Sequence, residues 1–146
     1  MEEQGEFVIP ATPQEVWDAL QKPDVLQECI DGCEEMTLTE EGTFACVVAI
    51  KVGPVKARFT GTVKIVDPHP PHSYFLDVSA RGGGAGFGSG RAEVELQAVP
   101  EGTRLNYQVR GTIGGKLAQI GTRLFQSFSR KMTRTFFERF SQRWVR

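Results

Sequence analysis

Val55-Lys56-Ala57-Arg58-Phe59-Thr60-Gly61-Thr62-Val63-Lys64-Ile65 places a small or apolar residue at every odd position and a cation or threonine at every even one. A period of two sustained over eleven residues marks a strand with one buried and one wet face. Upstream, Phe44, Cys46, Val48, Ile50 and Val52 keep the same period, although Val47 and Ala49 make the other face apolar too. Downstream, Ser73–Ala80, Arg91–Val99 and Arg104–Ile113 read as further strands, the last with Leu105, Tyr107, Val109, Gly111 and Ile113 inward. Turn residues separate them at Glu41-Gly42, Gly53-Pro54, Asp67–Pro71 and Glu101-Gly102. Short strands joined by tight turns predict an antiparallel sheet, apolar on one face and polar on the other.

The period changes at both ends of this block. Glu6–Pro10 predicts a short first strand. Thr12-Pro13 then starts a helix, with Thr12 as N-cap, Glu15 completing a capping box, and Val16, Trp17 and Leu20 on the apolar face. Asp24–Ile30 predicts a second short helix. Beyond Gly114-Gly115 the period becomes 3.6, and Leu117, Ile120, Gly121, Leu124, Phe128 and Met132 form one stripe. Read as continuous, this helix runs to about Trp144, a length of about 40 Å at 1.5 Å per residue. Lys116, Arg123, Arg130, Arg134 and Phe137 fall on its other side. The expected class is α+β, a sheet wrapped around one long C-terminal helix with a cavity between them.

The 146 residues fit one domain and can bury a sufficient core without disulfides or metal. A net charge of −1 conceals segregation: residues 1–41 sum to −11, residues 42–115 to +3 and residues 116–146 to +7. The acidic start does not read as a signal peptide, and the longest apolar run, Phe44–Ile50, is far short of the roughly 20 residues of a membrane helix. Three cysteines, Cys29, Cys33 and Cys46, suit a reducing compartment. A soluble cytoplasmic protein is expected.

Chemical motifs are sparse. The glycine cluster Gly82–Gly90 has neither dinucleotide-binding nor phosphate-loop spacing, and it lies between two strands. It reads either as a flexible hairpin or as a flap with Phe87 at its tip, gating the cavity. Cys29 and Cys33 with His69 and His72 have incomplete zinc spacing, so no metal is expected. The only two histidines share one turn, and no nucleophile motif is present, which argues against catalysis. Nucleic acid is disfavoured because the strands show no aromatic stacking platform beside basic residues. The basic helix face, with Arg123, Arg130, Lys131, Arg134 and Phe137, suits an anionic membrane surface or an acidic protein.

Lys51-Val52-Gly53-Pro54-Val55-Lys56-Ala57 with Phe59 and Gly61, Gly86-Phe87 in the glycine loop, Gly114-Gly115-Lys116-Leu117-Ala118-Gln119-Ile120-Gly121 and Phe136-Phe137 together resemble the family of the G subunit of carbon monoxide dehydrogenase. That family lies within the START-like, helix-grip superfamily of hydrophobic-ligand binders. One departure is Asp31 before Gly32, where the family pattern has proline. The resemblance implies a non-enzymatic accessory of a molybdenum-containing carbon monoxide dehydrogenase or a related hydroxylase, peripheral to the inner face of the membrane. It also implies a cavity for a quinone, menaquinone or ubiquinone. The expected cavity residues are Phe44, Ile50, Phe59, Val63, Leu76, Val78, Phe87, Tyr107, Leu117, Leu124 and Phe128. A membrane-recruitment scaffold without a functional ligand, and a polyketide cyclase-like enzyme, are the alternatives.

Overall fold

A computed structural model describes residues 1–145. Seven strands form one antiparallel sheet: β1 (Glu2–Ile9), β2 (Cys33–Glu40), β3 (Thr43–Val52), β4 (Val55–His69), β5 (Ser73–Arg81), β6 (Phe87–Val99) and β7 (Gly102–Gly114). Their order is β1-β7-β6-β5-β4-β3-β2, so β2 to β7 are successive hairpins and β1 closes against β7. The chain crosses from one sheet edge to the other through α1 (Pro13–Leu20) and α2 (Pro23–Cys29). The expected capping box holds: Thr12 Oγ1 accepts from the Glu15 amide at 3.2 Å, and the Thr12 amide donates to Glu15 Oε1 at 3.0 Å. The first strand is longer than Glu6–Pro10 because Glu2–Gln4 also pair with Gln108–Arg110.

The C-terminal helix is not continuous. A short α3 (Lys116–Gln119) ends at Ile120, Gly121 takes a φ of +97°, and α4 (Thr122–Ser141) follows before a 3-10 turn at Gln142–Trp144. A positive φ is incompatible with helix propagation, so Gly121 resets the phase. The stripe traced from Leu117 is therefore displaced beyond it. Leu124 is 42% exposed, whereas Phe137 turns inward and stacks on Phe7 with ring centroids 4.5 Å apart. Phe136 and Phe140 extend this aromatic face. The helix α4 lies over the sheet and touches α2, β1 and β3, giving the helix-grip arrangement.

Charge segregation in sequence is partly undone by folding. Glu2 pairs with Arg110, Glu6 with Arg104, Glu34 with Arg58, Glu28 with Arg143 and Asp31 with Arg139. The last two join the C-terminal end of α4 and the turn after it to the C-terminal end of α2 and the residues that follow it.

Candidate functional site

The apolar face of the sheet and α4 enclose a cavity of about 340 Å³. This lies toward the lower end of the roughly 300–1,000 Å³ usual for small-molecule sites. The floor comes from alternate residues of β3 to β7, among them Phe44, Val63, Leu76, Val78 and Tyr107. Leu26 and Ile30 close one side, and Met132, Thr133, Phe136 and Phe137 form the roof. The floor follows from the register. Val63 opposes Val78 and Ile65 opposes Leu76, while Ala92 opposes both Leu76 and Val109. Small Ala92 at the middle of this row leaves room that larger side chains would fill. Val78 is 39% exposed although it faces the helix side of the sheet, because its neighbour there is empty space.

Five of the eleven expected cavity residues, Phe44, Val63, Leu76, Val78 and Tyr107, share this wall. Ile50, Phe59, Leu117 and Phe128 instead belong to a second, closed cluster around Val52 and Val55. The remaining two stand elsewhere. Leu124 lies against the β3–β4 turn, where a Cβ on Gly53 would come within 2.9 Å of its Cδ2. Phe87 is the first residue of β6 and shares strand parity with Arg91 and Glu93, opposite Ala92 and Val94. It is 52% exposed and its ring lies over Gly114, so it does not gate the cavity. The glycine loop is folded as a 3-10 turn, closed by a hydrogen bond from the Gly82 amide to the Gly86 carbonyl at 2.8 Å.

Of the expected docking residues, Arg123, Arg130, Lys131 and Arg134 are exposed on α4, and none has an ion-pair partner among the described residues. Phe137 does not join them; it belongs to the cavity roof. The three cysteines are free. Burial raises each thiol pKa, which disfavours the reactive thiolate. No cluster able to hold a metal ion occurs among the described residues.

One polar group in this region escaped sequence reasoning. Glu3 is 7% exposed, and its Oε2 accepts from the Tyr107 hydroxyl at 2.9 Å. Thr133 Oγ1 lies 3.2 Å from the same oxygen. The signal was available in the strand parity, since Glu3, Gly5, Phe7 and Ile9 share one face. The short first strand expected from Glu6 excluded it. Burial, and then the bond to Glu3, push the Tyr107 hydroxyl up to about 12.

Comparison with known proteins decides the family. The family model for the G subunit of carbon monoxide dehydrogenase (CoxG) matches residues 5–144. The chain belongs to the CoxG family. Membership associates it with carbon monoxide dehydrogenase as an accessory. A conserved protein from Geobacillus kaustophilus is similar over 98% of this chain and 94% of its own, with 28% identity and a TM-score of 0.91. A Thermus thermophilus protein matches over 98% and 96% of the two chains at 15% identity and a TM-score of 0.72. A Chromobacterium violaceum protein matches over 97% and 95% at 11% identity and a TM-score of 0.73. These last two likenesses show a shared fold alone. No functionally curated protein matches the chain in sequence. Among the described residues no helix is long and apolar enough to cross a membrane.

Proposed function

We propose that this CoxG-family chain is a non-catalytic carrier that holds a lipidic molecule in the cavity beneath α4. A respiratory quinone, menaquinone or ubiquinone, fits the accessory role, since an enzyme that feeds electrons to a respiratory chain needs a quinone brought to it. The observation that supports this reading is the cavity itself, an apolar space with aromatic walls between the sheet and α4. Filling such a space with an apolar ligand removes hydrocarbon surface from water at about 25 cal/mol per Å². The partner would be a molybdenum-containing carbon monoxide dehydrogenase or a related hydroxylase.

The test is solvent extraction of the purified protein followed by mass spectrometry, with menaquinone-4 titrated against tryptophan emission. Trp17 reports on the wall because it packs edge-on against Tyr74 at 5.1 Å. A recovered isoprenoid quinone and saturable quenching are expected. Recovery of no lipid together with no quenching overturns the carrier reading.

A second reading rests on the unpaired cations of α4. In it the chain is a scaffold that brings the dehydrogenase to an anionic membrane. Arg130→Glu, Lys131→Glu and Arg134→Glu together would then abolish sedimentation with phosphatidylglycerol vesicles, and wild-type binding would weaken as salt rises. Failure of the native protein to sediment at low salt removes this reading.

A further inference from the structure

The turns of the meander give the molecule two ends of opposite charge. One end carries Glu40-Glu41, Asp67 and Glu101 in its turns, with Glu15 in the first turn of α1. At the other, the β3–β4 turn, the glycine loop, α3 and the first turn of α4 meet over the cluster around Val52 and Leu117. A Cβ on Gly53 would press on Leu124, and one on Gly115 would press on Gly86. No carboxylate occurs in residues 42–66, 78–92 or 102–137, the three segments that supply this second end.

Lys51, Lys56, Arg81, Lys116 and Arg123 are exposed at this second end, and none has an ion-pair partner among the described residues. Two of these placements oppose folding. Lys51 lies directly opposite Lys56 in the register of β3 and β4, and like charges so placed repel. Arg123 stands in the first turn of α4, where a cation meets the positive end of the helix dipole. Hydrocarbon is exposed among the charges. Phe87, opposite Arg81 in register, and Leu124 are both open to solvent. Gly83, Gly84 and Gly121 project so far that an added Cβ would meet nothing within 4 Å. A bilayer interface accepts this combination, because cations meet lipid phosphates while apolar side chains enter the headgroup boundary. Three separate protrusions need no matching recess there, whereas an acidic protein would have to supply one for each.

We propose that this end, formed by the β3–β4 turn, the glycine loop and the α3–α4 corner, is the surface that meets an anionic phospholipid bilayer, with Phe87 and Leu124 at headgroup level. The proposal rests on the membrane reading and moves its contact away from Arg130, Lys131 and Arg134 on α4. The acidic end faces away, since the same lipid surface repels it. The long axis of the strands therefore stands across the membrane plane rather than along it.

The test is sedimentation at low salt with vesicles of phosphatidylcholine alone or mixed in equal parts with phosphatidylglycerol, with thermal melts to verify folding. The native protein is expected to bind only the mixed vesicles. Lys51→Gln with Lys56→Gln should weaken that binding roughly 25-fold, at about fivefold per cation, and leave the melting temperature unchanged or raised because the like-charge pair is gone. The triple variant Arg130→Glu, Lys131→Glu and Arg134→Glu should lose less, although it changes more charge. Phe87→Ser should weaken binding further, and the added emission of Phe87→Trp should shift to the blue on mixed vesicles. Native-like binding by the two-lysine variant, or binding abolished by the α4 triple alone, overturns the proposal and leaves the contact on α4. Unchanged binding of Phe87→Ser together with no blue shift overturns the seating in lipid and assigns the cations to an acidic protein. Failure of the native protein to bind either vesicle overturns this proposal and the membrane reading together, while the carrier reading keeps its own test.

Discussion

Two parts of the sheet's apolar face are covered differently, and the outcomes differ. Around Val52, Val55, Phe59 and Leu117 the space is filled: these four are 3–7% exposed, and α3 sits directly on the β3–β4 hairpin and the glycine loop. Around Val63, Leu76, Val78 and Ala92 the same alternating pattern leaves a hollow. The difference comes from what covers each part. The helix break at Gly121 lets α3 drop Leu117 into the first cluster, close to Gly86. The longer α4 bridges the second, and at its C-terminal end Arg139 pairs with Asp31 and Arg143, in the following turn, with Glu28 of α2. The part under α3 is a filled cluster, whereas the part under α4 is a container that adjoins the main core around Ile9, Leu105 and Phe140. Alternation of side chains does not distinguish them.

Truncating leucine at each place tests that contrast most strongly. Leu117→Ala should destabilise the protein by about 3 kcal/mol, because it removes transfer energy and opens a new void among close neighbours. Leu76→Ala should cost about 1 kcal/mol, since its neighbours already face empty space and the void term is small. Urea denaturation of both variants gives the comparison. Equal losses would mean that the hollow is as tightly supported as the core. Leu76→Phe sharpens the point from the other side: stability should be kept while quinone quenching is lost.

The glycine loop holds the closed end together, and Gly86 is its tightest position. Its φ is +115°, and a Cβ would run into the Gly114 carbonyl and stand 3.1 Å from the Leu117 amide. Gly86→Ala should therefore destabilise by about 2 kcal/mol through backbone strain and displacement of α3. Gly84→Ala, with open space around its Cβ, should cost well under 1 kcal/mol. Thermal melts of the pair distinguish a folded loop, which predicts this asymmetry, from a loose flap, which predicts none.

Much of this architecture is legible in the residues alone. The period of two from Phe44 to Ile113, its turn residues and the Thr12–Glu15 box specify the sheet and α1 almost strand by strand. What is not legible depends on phase and parity at junctions. Carrying helical phase through Gly121 turns Leu124 inward and Phe137 outward, the reverse of their places. Treating the glycines as one loop hides the fact that β6 begins at Phe87, whose parity puts it on the sheet's other face. Starting β1 at Glu6 loses Glu3. Core and cavity wall also share one composition, so separating Phe59 from Val63 requires the cover as well as the sheet.

The smallest expected effect concerns the two tyrosines, the only ones in the chain. Tyr74 is 4% exposed and desolvation raises its pKa strongly, while Tyr107 is pushed up to about 12 by burial and by Glu3. Both belong to the container. Ionisation followed at 295 nm should show no phenolate near pH 10 in the native protein, with Tyr107 appearing about two pH units later and Tyr74 only after it. A tyrosine whose folded pKa lies above its unfolded value binds its proton more tightly when folded. Its contribution is thus complete below pH 10 and is lost as pH rises from 10 through 12. Glu3→Gln removes the carboxylate but not the burial, so it should bring Tyr107 only part of the way back toward 10. A full return to 10 would assign the whole shift to Glu3, and no change would detach the carboxylate from the hydroxyl.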